Sequence, residues 1–300
     1  MDSIELRAPA KVNLYIKVLN KRKDSYHNIL TLFERISLAD RIRLEKISEG
    51  IRLSSDKPIT RDIKENLAYK AAELILNHKK LKKGVNIRIE KRIPLGAGLG
   101  GGSSDAAAVL MGINRLFDLN LTKSALMRFA RKLGADVPFF VFNTTFAIGM
   151  SRGDRLKIVR RRPRFWHFIV YPGFEISTKQ VYMAFDRAKK RPLTKGPFGV
   201  KIKTLLDDLM GFRQANIESM LYNDLEDIVV FKKAIIGKII RRLADLSGKK
   251  AIVTGSGPSV FCICKTRKEA TEVRERLFRV TPANERGQWQ TFVVRTKGSK

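Results

Sequence analysis

Three hundred residues, 44% of them hydrophobic, suffice for two ordinary domains or one large one. No run approaches the roughly 20 apolar residues of a membrane span, and Met1-Asp2-Ser3-Ile4-Glu5-Leu6 lacks the basic start and apolar core of a signal peptide, so a cytoplasmic globular protein without a membrane partner is expected. Sixty Lys and Arg against 29 Asp and Glu leave +31, a field that steers phosphate-bearing substrates; spread over 79–83, 160–164 and 187–191 with no aromatic–basic array, these charges read as solvated faces, and a nucleic-acid partner is not expected.

Residues 11–19 alternate like a strand, with Lys11, Asn13 and Tyr15 on one face and Val12, Leu14 and Ile16 on the other. A second strand begins over 38–44, and 64–77 has helical spacing with Leu67, Ala71 or Ala72, Leu74 and Ile75 inward. Residues 85–89 alternate again, and Pro94 closes that strand. There follow Gly96, Ala97, Gly98, Leu99, Gly100, Gly101, Gly102, Ser103 and Ser104, five glycines in seven residues, opening onto a helix marked by Ala107, Leu110, Ile113 or Asn114, and Phe117. Glycines let successive N–H groups face an anion, and a helix start adds free donors and positive potential, so this loop is a phosphate site and not a linker. It lacks the Gly-Lys-Ser/Thr ending of a Walker A loop. The Gly96-x-Gly98-x-x-Gly101 match to a dinucleotide fingerprint has no acidic strand end behind it, since Asp118 sits in a helix-ending turn, so NAD is not expected.

A helix over 123–133 stops at Gly134. The basic, proline-containing stretch 160–164 marks a boundary between domains 1–159 and 160–300. Beyond it, strands are expected over 165–171, 251–254, 260–264 and 290–295, and helices over 201–210, 215–223, 234–246 and 268–276, giving an α+β fold without internal repeats. Cys262 and Cys264 are too close for a zinc or redox pair and read as buried thiols, and His27, His78 and His167 form no metal-ligand pattern.

Four further segments accompany the glycine loop: Ala8-Pro9-Ala10-Lys11-Val12-Asn13-Leu14, Asp24-Ser25-Tyr26-His27, Leu133-Gly134-Ala135-Asp136-Val137-Pro138-Phe139-Phe140, and Thr254-Gly255-Ser256-Gly257-Pro258-Ser259-Val260-Phe261. With them the chain resembles the GHMP kinase superfamily over nearly its whole length. The Tyr-His pair, Gly-Ala-Asp-Val-Pro and Asn223-Asp224-Leu225-Glu226 resemble the branch that phosphorylates the 2-hydroxyl of 4-diphosphocytidyl-2-C-methyl-D-erythritol. Ser25 stands where that branch usually has glycine, and Thr254 where serine is common.

The resemblance implies a two-domain GHMP kinase fold, with a ribosomal-protein-like first domain and a ferredoxin-like second. It implies ATP and Mg²⁺ as cofactors, a small-molecule partner carrying a cytidylyl diphosphate, and a monomer or weak homodimer. Lys11 and Asp136 become the catalytic pair, with Asp136 accepting the substrate proton or orienting its hydroxyl and Lys11 holding it ionised; the bland alternatives are a turn aspartate and a snorkelling surface lysine. ATP falls to the loop residues with Asn66, Lys91 and Leu95, and Ser103 or Ser104 either cap the helix or reach phosphate and Mg²⁺. Tyr26 and Tyr182 sandwich the cytosine, His27 reads its polar edge, Thr178 lies on the same wall, Asn13 lines the site, and Gly255, Ser256 and Gly257 close on the substrate phosphates. Alternatives are another superfamily kinase, acting on mevalonate, homoserine or a sugar, and a non-catalytic RNA-binding relative; a nucleobase wall at Tyr26-His27 argues against the first and an intact Lys11, Asp136 and glycine loop against the second.

Overall fold

A computed structural model describes residues 1–58, 60, 62–160, 163–188, 210–211 and 217–298. β1 (Ser3–Lys21) and β2 (His27–Ile47) form a long antiparallel hairpin, twice the length that alternation marked. Its outer reach hides from a hydrophobic pattern because one face carries charge, with Glu5 opposite Arg43 and Arg7 opposite Arg41. At the turn, the Tyr26 N–H donates to Asp24 Oδ1 at 3.2 Å, the Arg22 N–H donates to the Tyr26 carbonyl at 2.7 Å, and Ser25 adopts φ 65°.

β3 (Ile51–Ser55), β4 (Gly84–Glu90), β5 (Phe146–Met150) and β6 (Arg155–Ile158) extend this sheet in the order β3-β4-β2-β1, with β5 pairing both β2 and β6. α1 (Leu67–His78), α2 (Gly101–Leu116), α3 (Lys123–Leu133) and α4 (Val137–Phe142) bury their apolar stripes on it, bringing Ala71, Ile75, Leu110 and Ile113 against Leu44 and Ile87. Gly134 caps α3 as the sequence indicates.

The second sheet is antiparallel, β11-β7-β10-β9, from β7 (Trp166–Tyr171), β9 (Ala251–Val253), β10 (Val260–Cys264) and β11 (Gln290–Arg295). Its helices are α5 (Thr178–Ala188), α6 (Ile217–Met220), α7 (Glu226–Lys232), α8 (Ala234–Ser247), α9 (Arg267–Val280) and α10 (Ala283–Arg286). Cys262 and Cys264 are free and buried in one cluster. The architecture is the expected α+β one, and no described helix is long and apolar enough to cross a membrane.

Two expectations change. The helix over 215–223 is α6 followed by β8 (Tyr222–Asn223), which pairs in parallel with β1, Tyr222 opposite Tyr15. Asn223 breaks the helix because its side chain is engaged elsewhere, Nδ2 donating to the Val253 carbonyl at 2.8 Å and the Gly255 carbonyl at 2.9 Å. Tyr15 leaves the polar face of β1: the register shifts between Asn13 and Tyr15, and Tyr15 joins Val12 and Leu14 in the core. The helix expected over 201–210 lies outside the described residues except for Met210.

Six strands of the first sheet precede residue 160 and the second sheet follows it, while β8 crosses back. The two are joined by one apolar cluster in which Val12, Leu14 and Phe146 meet Phe165, Ile169 and Phe261. A second glycine turn, at Gly255 to Gly257, is held against the loop through Gly96 and Gly98.

Candidate active site at the seam of the two sheets

The loop between β4 and α2 turns through Gly96, Gly98 and Gly100 at φ 57°, 77° and 72°. Gly98 has no alternative: a Cβ there would sit 2.4 Å from the Thr254 carbonyl and 2.9 Å from that of Gly257. The loop is stitched on both sides, the Lys11 N–H donating to the Leu99 carbonyl at 3.0 Å and the Ser259 N–H to the Ala97 carbonyl at 3.3 Å. α2 starts at Gly101 behind Gly100, with no side-chain cap, so its first amides stay available to an anion. This corrects the capping alternative for the serines. Buried Ser104 donates to the Pro9 carbonyl at 2.7 Å, which ties α2 to β1, while the Ser103 hydroxyl makes no hydrogen bond to a described residue.

Lys11 and Asn13 project from β1 beneath this loop. Lys11 Nζ donates to Asn13 Oδ1 at 2.6 Å and lies 3.4 Å from Asp136 Oδ2. Asn13 is fixed in turn, its Nδ2 donating to Thr31 Oγ1 at 2.8 Å and its backbone N–H to Thr254 Oγ1 at 2.9 Å. Thr254 therefore supplies the hydroxyl that serine would. Asp136 precedes α4 without capping it, and its side chain is 32% exposed against 5% for Lys11. The carboxylate is thus partly open to solvent beside a buried lysine, a placement suited to meeting a bound hydroxyl. Gly255 closes the space above: a Cβ there would meet Lys11 Nζ at 3.3 Å and Asn13 Oδ1 at 3.4 Å.

The residues expected around adenine serve partly as scaffold. Lys91 is sealed, its Nζ 2.5 Å from Asp40 and 2.8 Å from Asp105. Burial opposes the ammonium, but the two carboxylates outweigh it and hold the Lys91 pKa above its ordinary value. For Asp105 the balance reverses, and burial pushes its carboxyl up. Asp40 also accepts the backbone N–H groups of Arg92 at 2.6 Å and Ile93 at 2.8 Å, which fixes the approach to the glycine loop. Asn66 Oδ1 caps α1 by accepting the Ala68 N–H at 2.8 Å, and the Leu95 carbonyl accepts the Tyr171 hydroxyl at 3.2 Å. Neither Asp40 nor Asp105 was singled out in the sequence; Asp105, four residues into a helix of small side chains, was the available signal.

The proposed base wall assembles from both halves. His27, buried at the start of β2, stacks on Tyr182 of α5 with centroids 4.9 Å apart and planes at 24°. Its Nε2 meets Asp186 Oδ1 at 2.6 Å, and Lys21 Nζ donates to Asp186 Oδ2 at 2.8 Å. Burial tends to raise the Asp186 pKa, but the bonds from Lys21 and His27 hold it below the usual range. Burial, with the charges of Asp136 and Asp224 behind it, pushes the Tyr182 hydroxyl up. Thr178 and Ser256 hydroxyls share a bond at 2.7 Å, linking α5 to the second glycine turn. Tyr26 stands apart, 53% exposed, its ring 5.1 Å from the Arg152 guanidinium and without ring contact to Tyr182 among the described residues. Asp186 went unnoticed because nothing in its local sequence links it to His27, 159 residues away.

Comparison with known proteins agrees with this geometry. Residues 66–144 match the model of the GHMP kinases N terminal domain and residues 204–282 that of the GHMP kinases C terminal. The chain is 36% identical to a 4-diphosphocytidyl-2-C-methyl-D-erythritol kinase of Syntrophus aciditrophicus, covering 98% of this chain and 99% of the relative. It is 38% identical to the protein of the same name from Moorella thermoacetica, over 99% of this chain and 100% of the relative. Among solved structures, a 4-(cytidine 5'-diphospho)-2C-methyl-D-erythritol kinase superposes with a TM-score of 0.77 at 33% identity, over 98% of this chain and 100% of the other. A glycine loop on an uncapped helix, a lysine–aspartate pair beneath it and a full-length match to one kinase family converge: the chain belongs to the GHMP kinases, in the family of 4-diphosphocytidyl-2-C-methyl-D-erythritol kinases.

Proposed function

We propose that the chain transfers the γ-phosphoryl group of ATP to the 2-hydroxyl of 4-diphosphocytidyl-2-C-methyl-D-erythritol, an alcohol phosphorylation in isoprenoid precursor synthesis. The observation that carries this reading is the Lys11–Asp136 contact at 3.4 Å beneath the glycine loop. The amides at the start of α2 hold the ATP phosphates through their uncapped N–H groups. Asp136 takes the proton of the 2-hydroxyl as its oxygen bonds to the γ-phosphorus, the bond to the β-phosphate oxygen breaks, and ADP leaves. Lys11, held by Asn13, places positive charge where the migrating group is most negative.

Among the described residues no cluster of three His, Cys, Asp or Glu is placed to hold a metal by itself. Mg²⁺ is bound chiefly by substrate phosphates and water with one or two protein oxygens, a demand that the Ser103 hydroxyl and the Asp136 carboxylate fit by their chemistry. Ser103 and Asp136 are the groups that would reach it, since Ser104 is bonded to Pro9 and Asp105 to Lys91. Mg²⁺ would supply neutralisation of the phosphate charge.

On the substrate side, the His27–Tyr182 face supports a nucleobase subsite, with Tyr26 as its outer ring. The deciding assay measures ADP release with the cytidylyl substrate, mevalonate and homoserine. Turnover confined to the cytidylyl substrate is expected; preference for either of the others would overturn the substrate assignment while leaving the kinase chemistry standing.

A further inference from the structure

A cavity of about 1200 Å³ lies beside the site above: Ser104 is the one residue of the glycine loop that lines it, and neither Lys11, Asp136, the glycines of the two turns nor any residue of the base wall does. It opens among the start of β1, the middle of β2, α2 and the end of α4, and its wall is rich in arginine, including Arg7, Arg35, Arg41 and Arg115. Arg35 is the informative member. It is only 4% exposed, and no described carboxylate lies within ion-pair distance of it. Its Nη2 donates to the Phe140 carbonyl at 3.4 Å and its Nη1 to Asn143 Oδ1, both at the C-terminal end of α4, while its Nε has no partner. Two of five donors are accounted for. Burial alone, with no anion to oppose it, pulls the guanidinium pKa down to about 10.

An arginine is expensive to bury without a counter-charge. Arg7 and Arg115 on the same wall likewise have no described carboxylate partner, Arg7 donating to the Ser37 carbonyl at 3.4 Å. The acidic groups on the rim are engaged, Glu90 with Arg41 and Arg92, Glu5 with Arg43, and Asp56 with the Lys91 N–H at 2.7 Å. The wall thus holds several positive groups, one of them buried and partly unsatisfied, and they outnumber its three carboxylates, of which Glu5 and Glu90 are paired with arginines and Asp56 accepts a backbone N–H. Guanidinium forks match the oxygens of phosphate, and several around one cavity match a multiply charged anion better than a monoanion.

We propose that this cavity is a binding site for a small phosphate-bearing anion of diphosphate type, held by Arg35 with Arg7 and Arg115. Because Arg35 is bonded to the end of α4, whose other end carries Asp136, and because Ser104 and Pro9 line the same cavity, an anion there touches the supports of the catalytic pair without entering their site.

The test is calorimetric titration of inorganic pyrophosphate, with sulfate as a parallel arm, into the full chain already saturated with a non-hydrolysable ATP analogue and CDP. One pyrophosphate per chain is expected with both nucleotides in place, bound more tightly than sulfate. Arg35→Gln should weaken it about tenfold or more. Since Arg35→Gln also removes a support of α4, Arg7→Gln with Arg115→Gln provides the second variant; both positions are exposed, and the pair should weaken pyrophosphate while leaving the KM for ATP unchanged. Loss of pyrophosphate binding once the nucleotides are present would overturn the proposal, by locating the anion in the glycine loop. Equal affinity for sulfate, or unchanged affinity in both variants, would overturn it too.

Discussion

Two lysines flank the glycine loop, and their surroundings differ in the number of carboxylates they meet and in how far those are buried. Lys11 meets a single carboxylate, Asp136, whose side chain is one-third exposed, and an asparagine holds its other side. Lys91 meets two carboxylates, Asp40 and Asp105, and all three are buried. A partly open pair can exchange a proton with a ligand and lend its charge to a transferring group. A sealed triad can only hold its neighbours in place, and here it holds the strand end that feeds the loop and the helix that leaves it. Resemblance assigns both lysines to the site; burial and the count of carboxylates separate chemistry from support.

The largest effect should come from the open pair. Asp136→Asn is expected to lower kcat by about 10²–10⁴, the usual cost of losing a positioned general base, with ATP affinity and melting temperature nearly unchanged. Turnover within about threefold of the parent would remove Asp136 from the chemistry. Lys11→Met should fall into the same range, and a double variant no slower than the worse single one would show that the two residues act as a unit.

The sealed triad should break differently. Lys91→Met leaves Asp40 and Asp105 facing each other in a dry site, so a stability loss of about 3–5 kcal/mol is expected in denaturant titration, with kcat per folded molecule largely kept. A variant of parental stability whose KM for ATP rises would reverse the comparison and make Lys91 a ligand-contacting group.

A third contrast lies within the base wall. Tyr182 is backed by His27, and His27 by Asp186 and Lys21, whereas the Tyr26 ring lies beside the Arg152 guanidinium and stacks on no described ring. Stacking on one ring contributes roughly 1–3 kcal/mol, so Tyr182→Ala should weaken CDP by about tenfold or more while ATP binding stays. Tyr26→Ala should act in the same direction. Calorimetry with CDP decides: unchanged affinity in both would dissolve the nucleobase subsite. Asp186→Asn keeps the shape but not the charge that orients His27, and a smaller loss of about threefold to tenfold in CDP affinity is expected, at the low end of a charge-assisted hydrogen bond.

What the sequence made legible follows the same division. The glycine loop, Lys11, Asn13 and Asp136 announce themselves because their chemistry is local in the chain or carried by short motifs. Asp40, Asp105 and Asp186 do not, since each acquires its role from a partner 14 to 159 residues away. The charged face of the β1–β2 hairpin masked its length, and a bulge after Asn13 turned Tyr15 inward where strict alternation kept it on the polar face. The strand at Tyr222–Asn223 was unreadable because it is two residues long and exists only by pairing with β1.

The smallest effect belongs to the turn that presents Tyr26. Ser25 holds φ 65° there, a left-handed conformation that costs a non-glycine residue about 1 kcal/mol, and the Arg22–Tyr26 backbone bond at 2.7 Å keeps it in place. Ser25→Gly removes that strain but adds chain entropy to the unfolded state, roughly 0.5–1 kcal/mol in the opposite direction. A net gain of a few tenths of a kcal/mol is therefore expected, about 1 °C in melting temperature for a chain of this size. CDP affinity should not change, since the turn is held by the backbone N–H groups of Arg22, Ser25 and Tyr26 and the Ser25 hydroxyl makes no hydrogen bond to a described residue. A drop in CDP affinity with unchanged stability would give Ser25 a part in recognition, and the outer edge of the base wall would then be set by a side chain and not by the turn's backbone alone.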